Sequence, residues 1–203
     1  MMVTKLEPYN HGRIKVYIEE EFAFLLYKKE LKRFHVEVEH ELSEETCIQI
    51  HHNLSLRCKK LALHLLERMD RSERELRTKL RDKLYPSSII DEAIVYVKSF
   101  GYINDSNYGR KVIERCSTTK SRIDLKHTLQ NKGLDRDLVE ELMEKHHGVE
   151  DTQIAIQNLL RKRKFDASKA SREDYRRIYA YLARRGFSYD DVNAVLRYDE
   201  SSY

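Results

Sequence analysis

The 203-residue sequence has no tryptophan, two prolines, six glycines and three cysteines. So few helix breakers suit an all-helical array. Cys47, Cys58 and Cys116 are odd in number and lack close metal-ligand spacing, which argues against a disulfide framework. There is no apolar leader and no run approaching the roughly 18 apolar residues of a membrane span. These absences read as a reduced, soluble, cytoplasmic protein with no membrane partner. No glycine-rich loop precedes a Lys-Ser/Thr pair, and GxGxxG, HExxH, GxSxG and CxxC are all missing, so no catalytic residue, cofactor or metal is assigned. The one hint of a metal site is Cys47 and His51 at i, i+4 with His52 and Cys58 nearby, a pattern that structural roles explain better. Acid pairs such as Glu140 with Glu141 and Glu144, or Asp190 with Asp191, suit a solvated face or a helix N-terminus equally well.

Present instead is charge, 35% of residues, with a mean hydropathy of −0.71. The apolar residues are regularly spaced rather than absent, which favours a folded helical protein over disorder. Ser72 to Phe100 sets the pattern. A serine cap precedes Leu76 and Leu80, four apart, then Lys83 and a turn with Tyr85 and Pro86. A second helix follows with Ile89, Ile90, Ala93, Ile94 and Val97 on one face. The pattern returns without a gap from Ser121, where Leu125, Leu129, Lys132, Leu134, Leu138 and Val139 take the matching places. It returns again at Ile178, Leu182, Arg185, Phe187, Val192, Val195 and Leu196. The offsets are 129 − 80 = 49 and 182 − 129 = 53 residues. Self-similarity at this period predicts stacked copies of one unit, each of three helices, in an elongated monomer.

Residues 1–26 differ. Val3–Leu6, Arg13–Ile18 and Glu21–Leu26 carry β-branched and aromatic residues around turns at Asn10–Gly12 and Glu19–Glu20, predicting a small antiparallel sheet. A short basic helix follows over Tyr27–Phe34. Ser43 then caps a long helical region reaching Arg68, with Asn53 as a possible break. The expected organisation is a β-rich extension with a short helix over 1–50, then helical repeats over 51–104, 105–148 and 149–203. Gly101 is expected to end one helix and Gly148 to close repeat two.

Charge is focused. Residues 157–185 hold ten Lys or Arg and three acids, a net of +7, and residues 68–83 hold seven and four, a net of +3. Residues 1–50 and 186–203 are each −3. A charge run is usually a solvated face, but clustering favours a phosphate-binding surface with little base readout. The candidate partner- or DNA-binding residues are Arg71, Arg74 and Lys79; Lys120, Arg122 and Lys126; and Arg161, Lys162, Arg163, Lys164, Arg176, Arg177, Arg184 and Arg185. Tyr175, Tyr179 and Tyr181 interleave with the last group, and the first two fit packing better. The basic residues Lys28, Lys29, Lys32 and Arg33 of the acidic N-terminal region are expected to matter less.

Four stretches, ALHLLERMDRSERELRTKL from Ala62, SFGYINDSNYG from Ser99, DLKHTLQNKGLD from Asp124 and YLARRGFSYDDV from Tyr181, resemble the RecX regulatory proteins of bacteria, in the same order and over roughly 60–198. Leu84 stands where that family often has a small residue, and CSTTK at Cys116–Lys120 lacks its usual Arg-rich run. The resemblance implies a mainly α fold, three tandem three-helix repeats in a curved array, that binds a RecA-like recombinase filament on DNA. It further implies a non-enzymatic inhibitor of recombinase ATP hydrolysis and strand exchange, with single- and double-stranded DNA held by nonspecific electrostatics. The residues by themselves also allow a sequence-nonspecific nucleic-acid-binding repeat without a recombinase target or, more weakly, a metal-dependent nuclease.

Overall fold

The computed structural model describes residues 1–196, so the last seven positions of the third expected repeat lie outside the described residues. The chain divides into two compact units, Met1–Asn104 and Asp105–Tyr203.

Unit 1 opens with β1 (Val3–Pro8), β2 (Arg13–Ile18) and β3 (Glu21–Tyr27), paired antiparallel in that order. Alternation decides the faces of β1 and β2, where Val3, Ile14 and Val16 are buried and Arg13, Lys15 and Tyr17 are not, while β3 buries Leu25 and Leu26 in succession. The β1–β2 turn takes positive φ at His11 (50°) and Gly12 (73°). Helix α1 (Lys28–Arg33) follows, then α2 (Glu44–Arg68), whose first turn is capped by Ser43 accepting from the Thr46 N–H at 3.2 Å. Helix α2 is continuous through Asn53, where the sequence allowed a break. The Asn53 amide donates 2.6 Å to Glu30 on α1, so it does not compete for its own backbone. Glu30 also receives Arg57 at 2.8 Å, and Arg57 reaches the Leu25 carbonyl at 2.7 Å. These bonds tie α1 and β3 to α2. The sheet shares one core with α2, α3 (Glu73–Arg81) and α4 (Ser87–Ser99), through Val3, Val16, Leu26, Leu54, Leu76 and Ile94 among others.

Unit 2 holds α5 (Asp105–Cys116), α6 (Arg122–Asn131), α7 (Arg136–His146), α8 (Val149–Lys162), α9 (Arg172–Arg184) and α10 (Tyr189–Leu196). Serines cap α3, α6 and α9 at Ser72, Ser121 and Ser171. The α3–α4, α6–α7 and α9–α10 turns close with one geometry. The N–H groups of Tyr85, Leu134 and Phe187 bond to the carbonyls of Leu80, Leu129 and Leu182 at 3.5, 3.2 and 3.2 Å. The preceding residue is left-handed each time: Leu84 at 61°, Gly133 at 92° and Gly186 at 81°. The same closure also follows α1, α4 and α8 at His35, Gly101 and Lys164, so the sequence period marks the repeat of the whole hairpin around this turn. Gly148, expected to close repeat two, instead begins α8. It is extended, at φ −95°, and its N–H donates to Asp151 at 2.9 Å, because only His147 separates it from the end of α7.

Two clusters form the interior of unit 2. Val112, Ile113, Leu125, Leu129, Val139 and Met143 fill α5–α7, and Ala155, Ile156, Ile178, Leu182 and Val192 fill α8–α10. Gly109 lets α5 come close to its neighbours, since a Cβ there would sit 2.5 Å from Leu142 Cδ1 and 2.7 Å from Leu134 Cδ2. The two three-helix layers are joined by polar bonds. The Ser121 hydroxyl donates to the Arg185 carbonyl at 2.7 Å, and the Asn158 amide donates to the Thr118 carbonyl at 2.9 Å.

Candidate nucleic-acid interface

Those two bonds place the end of α5, the start of α6, the end of α8 and the end of α9 around a cleft of about 680 Å³. It is lined by Thr119, Lys120, Asp124, Asn158, Leu159, Arg161, Lys162 and Arg185. Four of the eight residues are cations and one is an acid. Lys120 is oriented by Thr128 Oγ1 at 2.8 Å and by Asp124 at 3.6 Å. Arg185 is positioned through its own carbonyl, which the buried Ser121 holds. Arg161, Lys162 and Arg185 are exposed, and with Lys120 they converge from segments far apart in the chain on one concavity.

A second hollow of about 410 Å³ lies beside it, lined by Arg163, Lys164, Lys169 and Arg177 together with Phe165, Asp166, Asp174, Ile178 and Tyr181, among others. Tyr181 links the two groups: the Arg163 guanidinium lies 4.1 Å and that of Arg185 5.3 Å from its ring centroid. Cation–π contact fixes two long side chains that would otherwise be mobile, lowering the entropy lost when they meet a phosphate. The acids in this hollow remain ionised. Asp174 is held below its usual range by the Ser171 hydroxyl and N–H, and Asp166 by those of Ser168. Both acids serve turns and caps. Tyr175 and Tyr179 pack, as their four-residue spacing suggested. The first sets its ring against Phe165 at 5.3 Å and donates to the Ala167 carbonyl at 3.2 Å. The second hydrogen-bonds Asn193.

The other candidates are placed differently. Arg122 donates to the carbonyls of Met143 and His147 at 3.4 and 3.2 Å, closing the end of α7. Lys126 pairs with Glu140, whose carboxyl is lowered by that hydrogen bond. Arg177 pairs with Glu173 at 2.6 Å. Arg176 and Arg184 are exposed on α9, two turns apart. In unit 1, Arg74 and Lys79 are exposed on α3 and Arg71 is half-buried before it. Asn158 is not among the residues the sequence pointed to, and Tyr181 appears there only as one of three tyrosines interleaved with the basic cluster. A half-buried asparagine amid the apolar positions of α8 was the available signal for the first.

Cys58 is fully buried, and burial pushes its thiol up to about 12. His51 faces Glu92 at 3.1 Å. Among the described residues no group of three His, Cys, Asp or Glu is arranged to hold a metal ion, and no helix is long and apolar enough to cross a membrane.

Fold and site define a mainly helical protein of three-helix domains with a small N-terminal sheet and a cation-lined cleft between its last two domains. Two stretches match RecX domain profiles, residues 58–96 the first three-helix domain and residues 150–196 the third. The chain is 28% identical to the regulatory protein RecX of Clostridioides difficile (strain 630), covering 98% of each. It is 27% identical to that of Clostridium beijerinckii, covering 97% of this chain and 94% of the relative. A crystal structure of regulatory protein RecX superposes over 97% of this chain and 99% of the other, with a TM-score of 0.63 at 18% identity. RecX from Lactobacillus salivarius gives 0.60 at 24% identity over 71% and 96%. Over nearly its whole length the chain is similar to the regulatory proteins of the RecX family.

Proposed function

We propose that this protein binds the nucleoprotein filament of a RecA-like recombinase and inhibits its ATP hydrolysis and strand exchange, acting by binding rather than by catalysis. The observation that carries the reading is the convergence of Lys120, Arg161, Lys162 and Arg185 on one cleft, in a chain whose near full-length relatives are named regulatory proteins. Such a cleft engages a phosphate backbone by counterion release, and the neighbouring Arg163, Lys164, Arg176, Arg177 and Arg184 extend the basic surface. A protein held on the filament's DNA shifts the recombinase between states in proportion to its differential affinity for them.

The cleft serves bare DNA equally well, which supports the second reading, a nonspecific nucleic-acid-binding repeat. The deciding measurement is the DNA-dependent ATP hydrolysis of the cognate recombinase at substoichiometric amounts of this protein. Inhibition at ratios too low to coat the DNA supports the proposal. Inhibition that appears only when the DNA is saturated refutes it in favour of simple competition.

A further inference from the structure

Residues 1–50 carry a net charge of −3, but the hairpins sort that charge in space. Glu19, Glu20 and Glu21 sit at the β2–β3 turn. Arg13 begins β2, about 20 Å from Glu19 at the rise of an extended strand, and Lys15 lies two residues nearer. At that end Arg13 pairs directly across from Tyr27, and the Lys28 N–H donates to the Gly12 carbonyl at 3.2 Å, bringing the start of α1 against the β1–β2 turn. Tyr9 and Tyr27 are 39% and 41% exposed. The charges of Arg13 and Lys15 lie 5.3 and 5.2 Å from the Tyr9 ring centroid, and Arg57 lies 5.0 Å from that of Tyr27. The nearby acids are engaged: Glu7 holds Lys5 and Lys15 at 2.8 and 3.0 Å, and Glu30 holds Arg57. Lys28 is exposed.

We infer that this end of the sheet, built from Tyr9, Arg13, Lys15, Tyr27 and Lys28, is a second nucleic-acid site that takes single strands, stacking unpaired bases on the tyrosines and phosphates on the cations. Exposed rings interleaved with cations are the pattern that holds single strands without reading sequence. A duplex keeps its bases inside and offers the rings nothing. The inference rests on the reading that DNA is a ligand of this protein but not on the cleft of unit 2.

The test uses the full chain and fluorescence anisotropy with a labelled thymidine oligonucleotide and an abasic strand of equal length. Its background variant replaces Arg161, Arg163, Arg176 and Arg184 by Glu. In that background, single-strand binding should persist. Adding Arg13→Glu with Lys28→Glu should weaken it about tenfold or more and flatten its salt slope by about 0.7 per lost contact. Tyr9→Ala should lower affinity for the thymidine strand on the order of tenfold and leave the abasic strand nearly unchanged. Circular dichroism checks folding, and Lys28→Glu alone, at an exposed position, keeps the test available if the double change perturbs the turn. Residual binding that the sheet variants do not alter overturns the inference. So does an equal loss on the abasic strand, or a loss of filament binding with oligonucleotide binding intact, which would assign the patch to a protein partner. Parent-like binding by the background variant that the sheet changes abolish would support this site and remove the unit 2 reading.

Discussion

Replacing Gly186 by alanine tests whether the turn between α9 and α10 also sets the geometry of the cleft. Gly186 has φ +81°, and a Cβ there would lie 2.8 Å from Ser121 Oγ and 3.3 Å from Ile123 Cβ. Holding an L-residue in the left-handed region costs roughly 1–2 kcal/mol. Displacing the Ser121 hydroxyl breaks its bond to the Arg185 carbonyl and strains the one that caps α6, worth about 1 kcal/mol more. Alanine regains about 0.4–1 kcal/mol by stiffening the unfolded chain. The net expectation is a loss of about 2 kcal/mol, a shift of about 1 M in the urea midpoint for a typical denaturant slope.

Leu84 gives the internal comparison, since it occupies the same turn position in repeat one at φ 61°. Leu84→Gly relieves the left-handed cost of about 1–2 kcal/mol, against an entropic penalty of about 0.5–1 kcal/mol and the loss of a half-buried side chain, so stability should change little. Urea unfolding followed by far-UV circular dichroism measures both. Oligonucleotide binding should weaken for Gly186→Ala beyond any global loss of folded protein, because the turn positions Arg185. Equal midpoints for Gly186→Ala and the parent would refute the turn geometry. A destabilised variant with unimpaired binding would separate the turn from the cleft.

Reversing Arg161, Arg163, Arg176 and Arg184 to Glu changes exposed positions only, so melting should stay near the parent's. Inhibition of the recombinase should fall sharply, and the salt slope of filament binding should flatten by up to about 0.9 per lost duplex contact or 0.7 per single-strand contact. An unaltered inhibitor would leave these arginines as a solvated surface and move the search to Arg71, Arg74 and Lys79. His147 is buried with neither ring nitrogen hydrogen-bonded, and burial holds its pKa below the ordinary 6.5. The unfolded chain therefore binds a proton that the folded one refuses, so stability contributed above about pH 6.5 is lost as pH falls through the depressed folded value, by up to about 1.4 kcal/mol per pH unit. His147→Leu should flatten that slope in urea titrations between pH 7 and 5, and parallel curves for the two proteins would show that the imidazole takes up its proton as readily in the fold as in the unfolded chain, refuting the burial argument.

The sequence by itself determined the parts that depend on near neighbours. Ser72 and Ser121 sit one turn before the amides they cap, the apolar pairs follow the 3.6-residue period, and Leu80, Leu129 and Leu182 recur at offsets of 49 and 53. Each is a contact across a few residues, and the chain order displays it. The basic run at 161–185 was visible as composition. Only the tertiary structure decided which of its members converge. Lys120 meets Arg161, Lys162 and Arg185 because Ser121 grips the Arg185 carbonyl 64 residues away, whereas Arg122, two residues from Lys120, is directed to the end of α7. The N-terminal segment shows the same division more sharply: a net charge sums over chain order and reads as acidic, but antiparallel pairing folds that order back on itself. Glu19, Glu20 and Glu21 are thereby placed at one end of the sheet and Tyr9, Arg13 and Tyr27 at the other, because strand direction and register, which no local count contains, set the distance between charges.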